Sequence, residues 1–204
     1  MIGLDYPNLW EWEEFDSSRL LEVMRGFAAP WWVAGGWALD LWLGRETRAH
    51  QDVDLAILRG DQHKLYDTLH HWELYYAATD HRLVPLRPGQ WLEPPLHGIW
   101  ARPAPDAPWL CEFLLNEHEG ADWLYRRNPA VRMPLAEMGT VISGGIPILV
   151  PQIVLLYKAH EGAEKDEADF QAALPHLSPS AMAWLLRALE ETTPEHPWMA
   201  QLRN

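Results

Sequence analysis

The sequence predicts an α+β fold, with a mixed β-sheet flanked by helices followed by a helical block. Three observations predict it. Short apolar or alternating runs at Trp31 to Ala34, Val53 to Ile57, Leu74 to Ala78, Arg82 to Leu86, Gly98 to Ala101 and Trp109 to Leu115 read as strands. Helical stripes at Ser18 to Phe27 and Gln62 to His71 are interleaved with them. From Pro151 onward the apolar period is helical throughout. A chain of 204 residues, 48% of them apolar, can bury a proper core, and the change of period divides it into a sheet-bearing domain over 1–150 and a helical block over 151–204.

Taken in order, Asp16 or Ser17 caps the first helix, whose buried face is Leu20, Leu21, Met24 and Phe27. The tryptophans ahead of it, Trp10 and Trp12, read as packing residues sooner than as an arm laid across a partner. Pro30 ends that segment, Trp31 to Ala34 forms a strand, Gly35-Gly36 a tight turn, Trp37 to Leu43 a helix and Val53 to Ile57 a second strand. Leu65, Leu69 and Trp72 mark the stripe of the next helix; its histidines, His63, His70 and His71, lack zinc-ligand spacing and read as exposed. Seven prolines between Pro85 and Pro108 predict a loop-rich stretch, of the kind that shapes substrate pockets beside a rigid sheet. A hairpin turns at Gly144-Gly145 between Val141 and Ile148. Pro151 opens a helix with Ile153, Leu156 and Tyr157 on one face; a second begins near Lys165, with Asp166, Glu167 and Asp169 complementing its dipole; a third covers Ser180 to Glu191, and His196-Pro197-Trp198 packs back on it.

Most of the residues that carry chemistry lie in the first third, with Glu112 further along. Asp52 and Asp54 are two apart on a predicted strand, so both carboxylates share a face, roughly 6 to 7 Å apart at Cα, and can close on one divalent cation. Gly35 and Gly36 lack a Cβ, and the N–H groups at the start of the following helix attract a phosphate. Glu112 lies inside an apolar strand, where an acid is costly unless paired, hydrogen-bonded or bound to metal. Glu117 and Glu119 are its alternatives, but the stretch Asn116 to Gly120 reads as a solvated turn.

In the order Gly35-Gly36, Arg48, His50, Asp52, Asp54, these residues resemble the signature of the nucleotidyltransferase superfamily that includes DNA polymerase β. The Gly-Gly-Trp-Ala-Leu-Asp wording, with Leu155-Leu156-Tyr157-Lys158-Ala159 and Lys165 to Phe170 further on, is most similar to the small antibiotic nucleotidyltransferases acting on aminoglycosides and lincosamides. The resemblance implies Mg²⁺-dependent transfer of a nucleoside monophosphate from a nucleoside triphosphate, ATP foremost, to a hydroxyl of a small-molecule antibiotic. It implies that Asp52, Asp54 and Glu112 hold metal, with Glu112 alternatively the base, and that Gly35 and Gly36 hold the triphosphate. Arg48 and His50 then steer phosphates or serve as structural hydrogen-bonding residues. Lys158 either reaches the triphosphate or is an exposed helix lysine, and Arg126-Arg127 either clamp it or form a surface pair.

A net charge of −13 without a Lys/Arg-rich stretch disfavours DNA and favours a cationic acceptor. No apolar run reaches a membrane span and the acidic N-terminus lacks a signal pattern, so a cytoplasmic protein is expected. Cys111 reads as a buried, inert thiol. Thirteen tryptophans exceed the needs of the core, and Trp91 or Trp100 is a candidate to stack on the acceptor. Two rival readings keep the fold: an enzyme that nucleotidylates protein or tRNA, as toxin-like relatives do, and a silent module that binds a nucleotide or a partner.

Overall fold

The computed structural model describes residues 11–80 and 82–203, so the packing expected of Trp10 lies outside the described residues. In chain order the first elements are α1 (Ser17–Met24), β1 (Trp31–Val33), α2 (Gly35–Leu43), β2 (Asp54–Leu58), α3 (Gln62–Thr68), β3 (Glu73–Ala77), β4 (Leu83–Pro85) and β5 (Gly98–Arg102). Then come β6 (Cys111–Glu119), β7 (Asp122–Leu124), β8 (Arg132–Pro134), β9 (Gly139–Val141), β10 (Pro147–Leu149), α4 (Pro151–Glu161), α5 (Glu164–Ala173), α6 (Pro179–Thr192) and α7 (Trp198–Leu202). They form two compact units: residues up to Trp31 with Gln51–Asn116, and Trp32–His50 with Glu117–Asn204. The helices after Pro151 thus share a unit with the Gly-Gly segment. Among the described residues no helix is long and apolar enough to cross a membrane.

In the first unit, β4, β3, β5 and β6 are successive antiparallel neighbours, and β2 joins β6 in parallel. Parallel strands buried on both faces read as continuous apolar runs, and Leu55-Ala56-Ile57-Leu58 is buried throughout. Asp16 caps α1 by accepting from the Ser18 N–H at 2.8 Å, and Leu20 and Met24 turn inward. The proline-rich stretch is interrupted by β5 and held by two buried polar side chains. Arg59 donates to the Leu92 and Leu96 carbonyls, while Gln62 pairs with both the N–H and the C=O of Leu92. Trp12 bridges to Trp109 and lies 4.7 Å from the Trp100 ring, which makes both Trp12 and Trp100 packing residues.

In the second unit β1 pairs in parallel with β10, which closes the expected hairpin with β9. The end of β6 pairs with β7, and β7 with β8. Pro151 stands at the first position of α4, where its missing N–H has no partner to lose. Ile153, Leu155 and Leu156 of α4 are almost fully buried. Trp198 closes the C-terminal end: its ring stacks on Phe170 at 4.1 Å and 4°, and its Nε1–H donates to Glu167 at 2.6 Å.

Four expectations are corrected. Gly35 and Gly36 are the first turn of α2, not a turn before it. Strand β2 starts at Asp54, leaving Asp52 exposed two residues ahead of it. Glu117 and Glu119 belong to β6, because its antiparallel pairing with β7 continues the ladder through them. Helix α3 stops at Thr68, with Leu69 bonded back to Leu65, so His70 and His71 follow it, exposed as expected.

The Phe170–Trp198 stack yields a stability prediction. Trp198→Ala deletes a side chain 2% exposed and should cost about 3–5 kcal/mol in denaturant unfolding; a loss below about 1 kcal/mol would contradict the packing described.

Candidate active site

The candidate acidic residues of the first unit are placed by strand register. Asp54 is the direct partner of Glu112 on the parallel β2–β6 pair. Paired residues point to the same face of neighbouring strands about 4.7–4.9 Å apart, so two carboxylates stand side by side, both half-buried. The Glu112 side chain leans towards β5, where a Cβ on Gly98 would land on its Oε1; a glycine there makes room for it. Buried Cys111 is pushed well above the ordinary thiol range, first by desolvation and then by the charges of Asp54 and Glu112. It is the inert thiol expected.

Among the described residues no group of three His, Cys, Asp or Glu side chains is poised to hold a metal ion. The structure brings Asp54 and Glu112 together and leaves Asp52 at the exposed entry to the strand. The donor set still fits a hard divalent cation such as Mg²⁺, which takes carboxylate oxygen and keeps several waters. Two adjacent carboxylates on one face also repel each other unless a cation lies between them.

The second unit carries the other predicted residues. Gly35 has φ +59°, a conformation that favours glycine, and opens α2 behind Ala34, which offers no side-chain cap. The space a Cβ would take at Gly36 belongs to two other site residues, the His50 ring edge and Arg48 Nη2, the latter 2.7 Å from that position. The glycine is required by these side chains of its own chain. His50 lies 4.7 Å from the Trp37 ring and donates through Nε2 to Asp40 at 2.6 Å. Arg48 forks onto Asp169 through Nε and Nη2, both at 2.9 Å.

Lys158 is buried on α4, which corrects the expectation of an exposed helix lysine. Its ammonium reaches Asp169 at 2.7 Å and Asp166 at 2.9 Å. Burial works to lower its pKa, and the hydrogen bonds and charges of the two aspartates outweigh it, so the net shift is upward. Burial likewise works to raise Asp169, but Arg48 and Lys158 hold it below the usual carboxylate range. Arg48 is raised, chiefly by its bond to Asp169. Arg126 and Arg127 lie over the Tyr157 ring at 5.7 and 5.6 Å, and Arg127 also donates to the Tyr157 carbonyl and Tyr125 hydroxyl.

The family model for aminoglycoside-2''-adenylyltransferase matches residues 18–88. The 2''-aminoglycoside nucleotidyltransferases of Escherichia coli and Klebsiella pneumoniae are 62% identical over 27 residues, 13% of this chain; the match spans only 15% of their length. The solution structure of the antibiotic-resistance factor ANT(2'')-Ia superposes with a TM-score of 0.57 at 16% identity, over 85% of this chain and 89% of its own. The same factor in complex with adenylyl-2''-tobramycin gives 0.55 at 16% identity, over 85% and 95%. The lincosamide antibiotic adenylyltransferase LnuA, lincomycin-bound, gives 0.52 at 16%, over 79% and 96%. The chain has a nucleotidyltransferase fold.

Sequence reasoning missed Asp40, Asp166 and Asp169 as members of the site's framework. Asp40 sits in the apolar helix Trp37-Ala38-Leu39-Asp40-Leu41-Trp42 of this nucleotidyltransferase fold, the signal that singled out Glu112, and was legible by that logic. Asp166 does serve the start of α5, accepting from the Ala163 N–H at 3.1 Å, yet its other oxygen is buried against Lys158. The pairing of Arg48 with Asp169 spans 121 residues, and no local pattern announces it.

The ion network sets a pH dependence. Asp169 has a folded pKa below its ordinary value near 3.9, so its contribution is present above about pH 4 and is lost as pH falls through the lower folded value. Lys158 is raised, so its contribution is complete below about pH 10.4 and is lost as pH climbs through the higher folded value. Asp169→Asn should flatten the acid limb of stability against pH and cost about 3–5 kcal/mol at neutrality, because two cations lose a buried partner; an unchanged acid limb would contradict the assignment.

Proposed function

We propose that the protein transfers a nucleoside monophosphate from ATP to a hydroxyl of a small, polar or cationic antibiotic, an aminoglycoside or a lincosamide. The observation that carries this reading is the register pairing of Asp54 with Glu112, two carboxylates on one face of a nucleotidyltransferase sheet. The relatives named above act on, or are bound to, antibiotics of these two classes. A net charge of −13 favours a cationic acceptor.

In this reading Asp54 and Glu112 hold Mg²⁺, with Asp52 at the strand entry as a third oxygen donor. The metal, when bound, neutralises phosphate oxygens and the charge that develops on the departing group. The remaining work falls to the chain. The first turn of α2, with Arg48 and His50 over Gly36, receives the triphosphate. The acceptor hydroxyl attacks the α-phosphorus and gives its proton to solvent, the bond between the α-phosphorus and the oxygen bridging to the β-phosphate breaks, and pyrophosphate leaves with that oxygen. The cytoplasm, which supplies ATP, is the proposed place of action.

The test incubates the protein with α-labelled ATP, Mg²⁺ and panels of aminoglycosides, lincosamides, proteins and tRNA. Label is expected on an antibiotic, and Asp54→Asn or Glu112→Gln should reduce it about 100-fold or more while the circular dichroism spectrum is kept. Label confined to protein or tRNA would overturn the acceptor, and label on nothing would overturn the enzyme.

A further inference from the structure

The geometry around Gly36 assigns a role to two carboxylates outside the predicted site. We propose that Asp40 and Asp169 are positioning residues for the nucleotide's triphosphate, acting through His50 and Arg48. The inference rests on the nucleotidyl-transfer reading and deepens it.

Asp40 is 3% exposed on α2 and accepts from three donors: the Thr47 N–H at 3.1 Å, the Thr47 hydroxyl at 2.5 Å and His50 Nε2 at 2.6 Å. A buried carboxylate with this many partners contributes little net stability over an apolar side chain of similar size. What it gains is geometry. Thr47 and His50 lie on the loop after α2, so Asp40 folds that loop back onto its own helix. With Nε2 committed to Asp40, the Nδ1–Cε1 edge of the ring is turned onto Gly36. Trp37 packs against the ring and restricts its swing.

Arg48 is oriented in the same way. A guanidinium carries five N–H groups in a rigid plane. Nε and Nη2 each give one to Asp169, and Nη1 gives one to the Ala49 carbonyl at 3.0 Å. Two donors remain on a group whose Nη2 sits against Gly36. Asp169 is itself fixed from behind by Lys158. Two carboxylates thus hold a guanidinium and an imidazole against one glycine, in the first turn of a nine-residue helix with no side-chain cap. Donors, positive charge and the helix N-terminus all favour an anion there. Nothing in the fold of α2 itself requires that arrangement: Asp40 could be leucine and the helix would still form.

The experiment measures Mg·ATP binding by isothermal titration calorimetry with acceptor absent, alongside melting temperature. Asp40→Asn should weaken ATP binding about tenfold, and Asp40→Asn/His50→Gln should bind ATP no more weakly than His50→Gln alone, since Asp40 works through His50. If Asp40→Asn does not fold, Thr47→Val, which removes one donor to Asp40 and keeps the backbone bond, should weaken binding about threefold. Unchanged ATP affinity with only a lower melting temperature, or losses that add in the double variant, would overturn the proposal. Wild-type protein that binds Mg·ATP but labels no acceptor defeats the transfer reading, whereas wild-type transfer with ATP affinity untouched by Asp40→Asn defeats this inference alone; no ATP binding defeats both.

Discussion

A single buried carboxylate, that of Asp169, is shared by the guanidinium of Arg48 and the ammonium of Lys158, and the order of the second unit depends on it. Taking these groups out of water costs several kcal/mol each, and only complete pairing offsets that. Every charge in the group has a counter-charge here, because Asp166 takes a further bond from Lys158 while also serving the start of α5. The result is directional: α4, α5 and the loop after α2 must come to one point. That convergence delivers Arg48 and His50 to Gly36, and it explains why the residue beneath them has no side chain. Sterics and electrostatics agree at this point, since a methyl group at Gly36 would displace the His50 ring and the Arg48 guanidinium, whose charge makes the first turn of α2 attractive to phosphate.

In the first unit the governing constraint is strand register. Slipping β2 by one residue against β6 would put Asp54 on the opposite face from Glu112 and turn Leu55 into its place. The buried run Leu55 to Leu58 fixes the register, since both faces of the strand are packed. Hydrophobic burial thereby sets the spacing of two acids whose mutual repulsion favours a cation. Cys111, next to Glu112 on β6 and fully buried, feels both charges, which with desolvation raise its thiol well above the ordinary range.

The sequence shows its local structure most openly where one short-range rule decides. Asp16 as a cap, Pro151 at a first turn and Gly144-Gly145 in a hairpin all act within a few residues, and each is found as expected. Glu112 was legible because an acid in an apolar strand is costly. Asp40 carries the same signal in a helix, flanked by the louder Gly-Gly and Asp-x-Asp pairs on either side. Lys158 defeated local reasoning for another reason: a lysine one residue past a buried stripe is usually solvated, and only its partners on α5 make burial affordable. Asp52 shows the limit of reasoning from alternation, because the two-residue period holds only inside the strand, and β2 begins after it.

The account's central claim is that Asp54 and Glu112 form a cation-holding pair. Electron paramagnetic resonance titration of Mn²⁺, as a stand-in for Mg²⁺, into the protein with a non-hydrolysable ATP analogue tests it most directly. The account predicts saturable Mn²⁺ binding that Asp54→Asn and Glu112→Gln each weaken by about 10-fold or more. Mn²⁺ affinity indifferent to both substitutions in folded protein would contradict it.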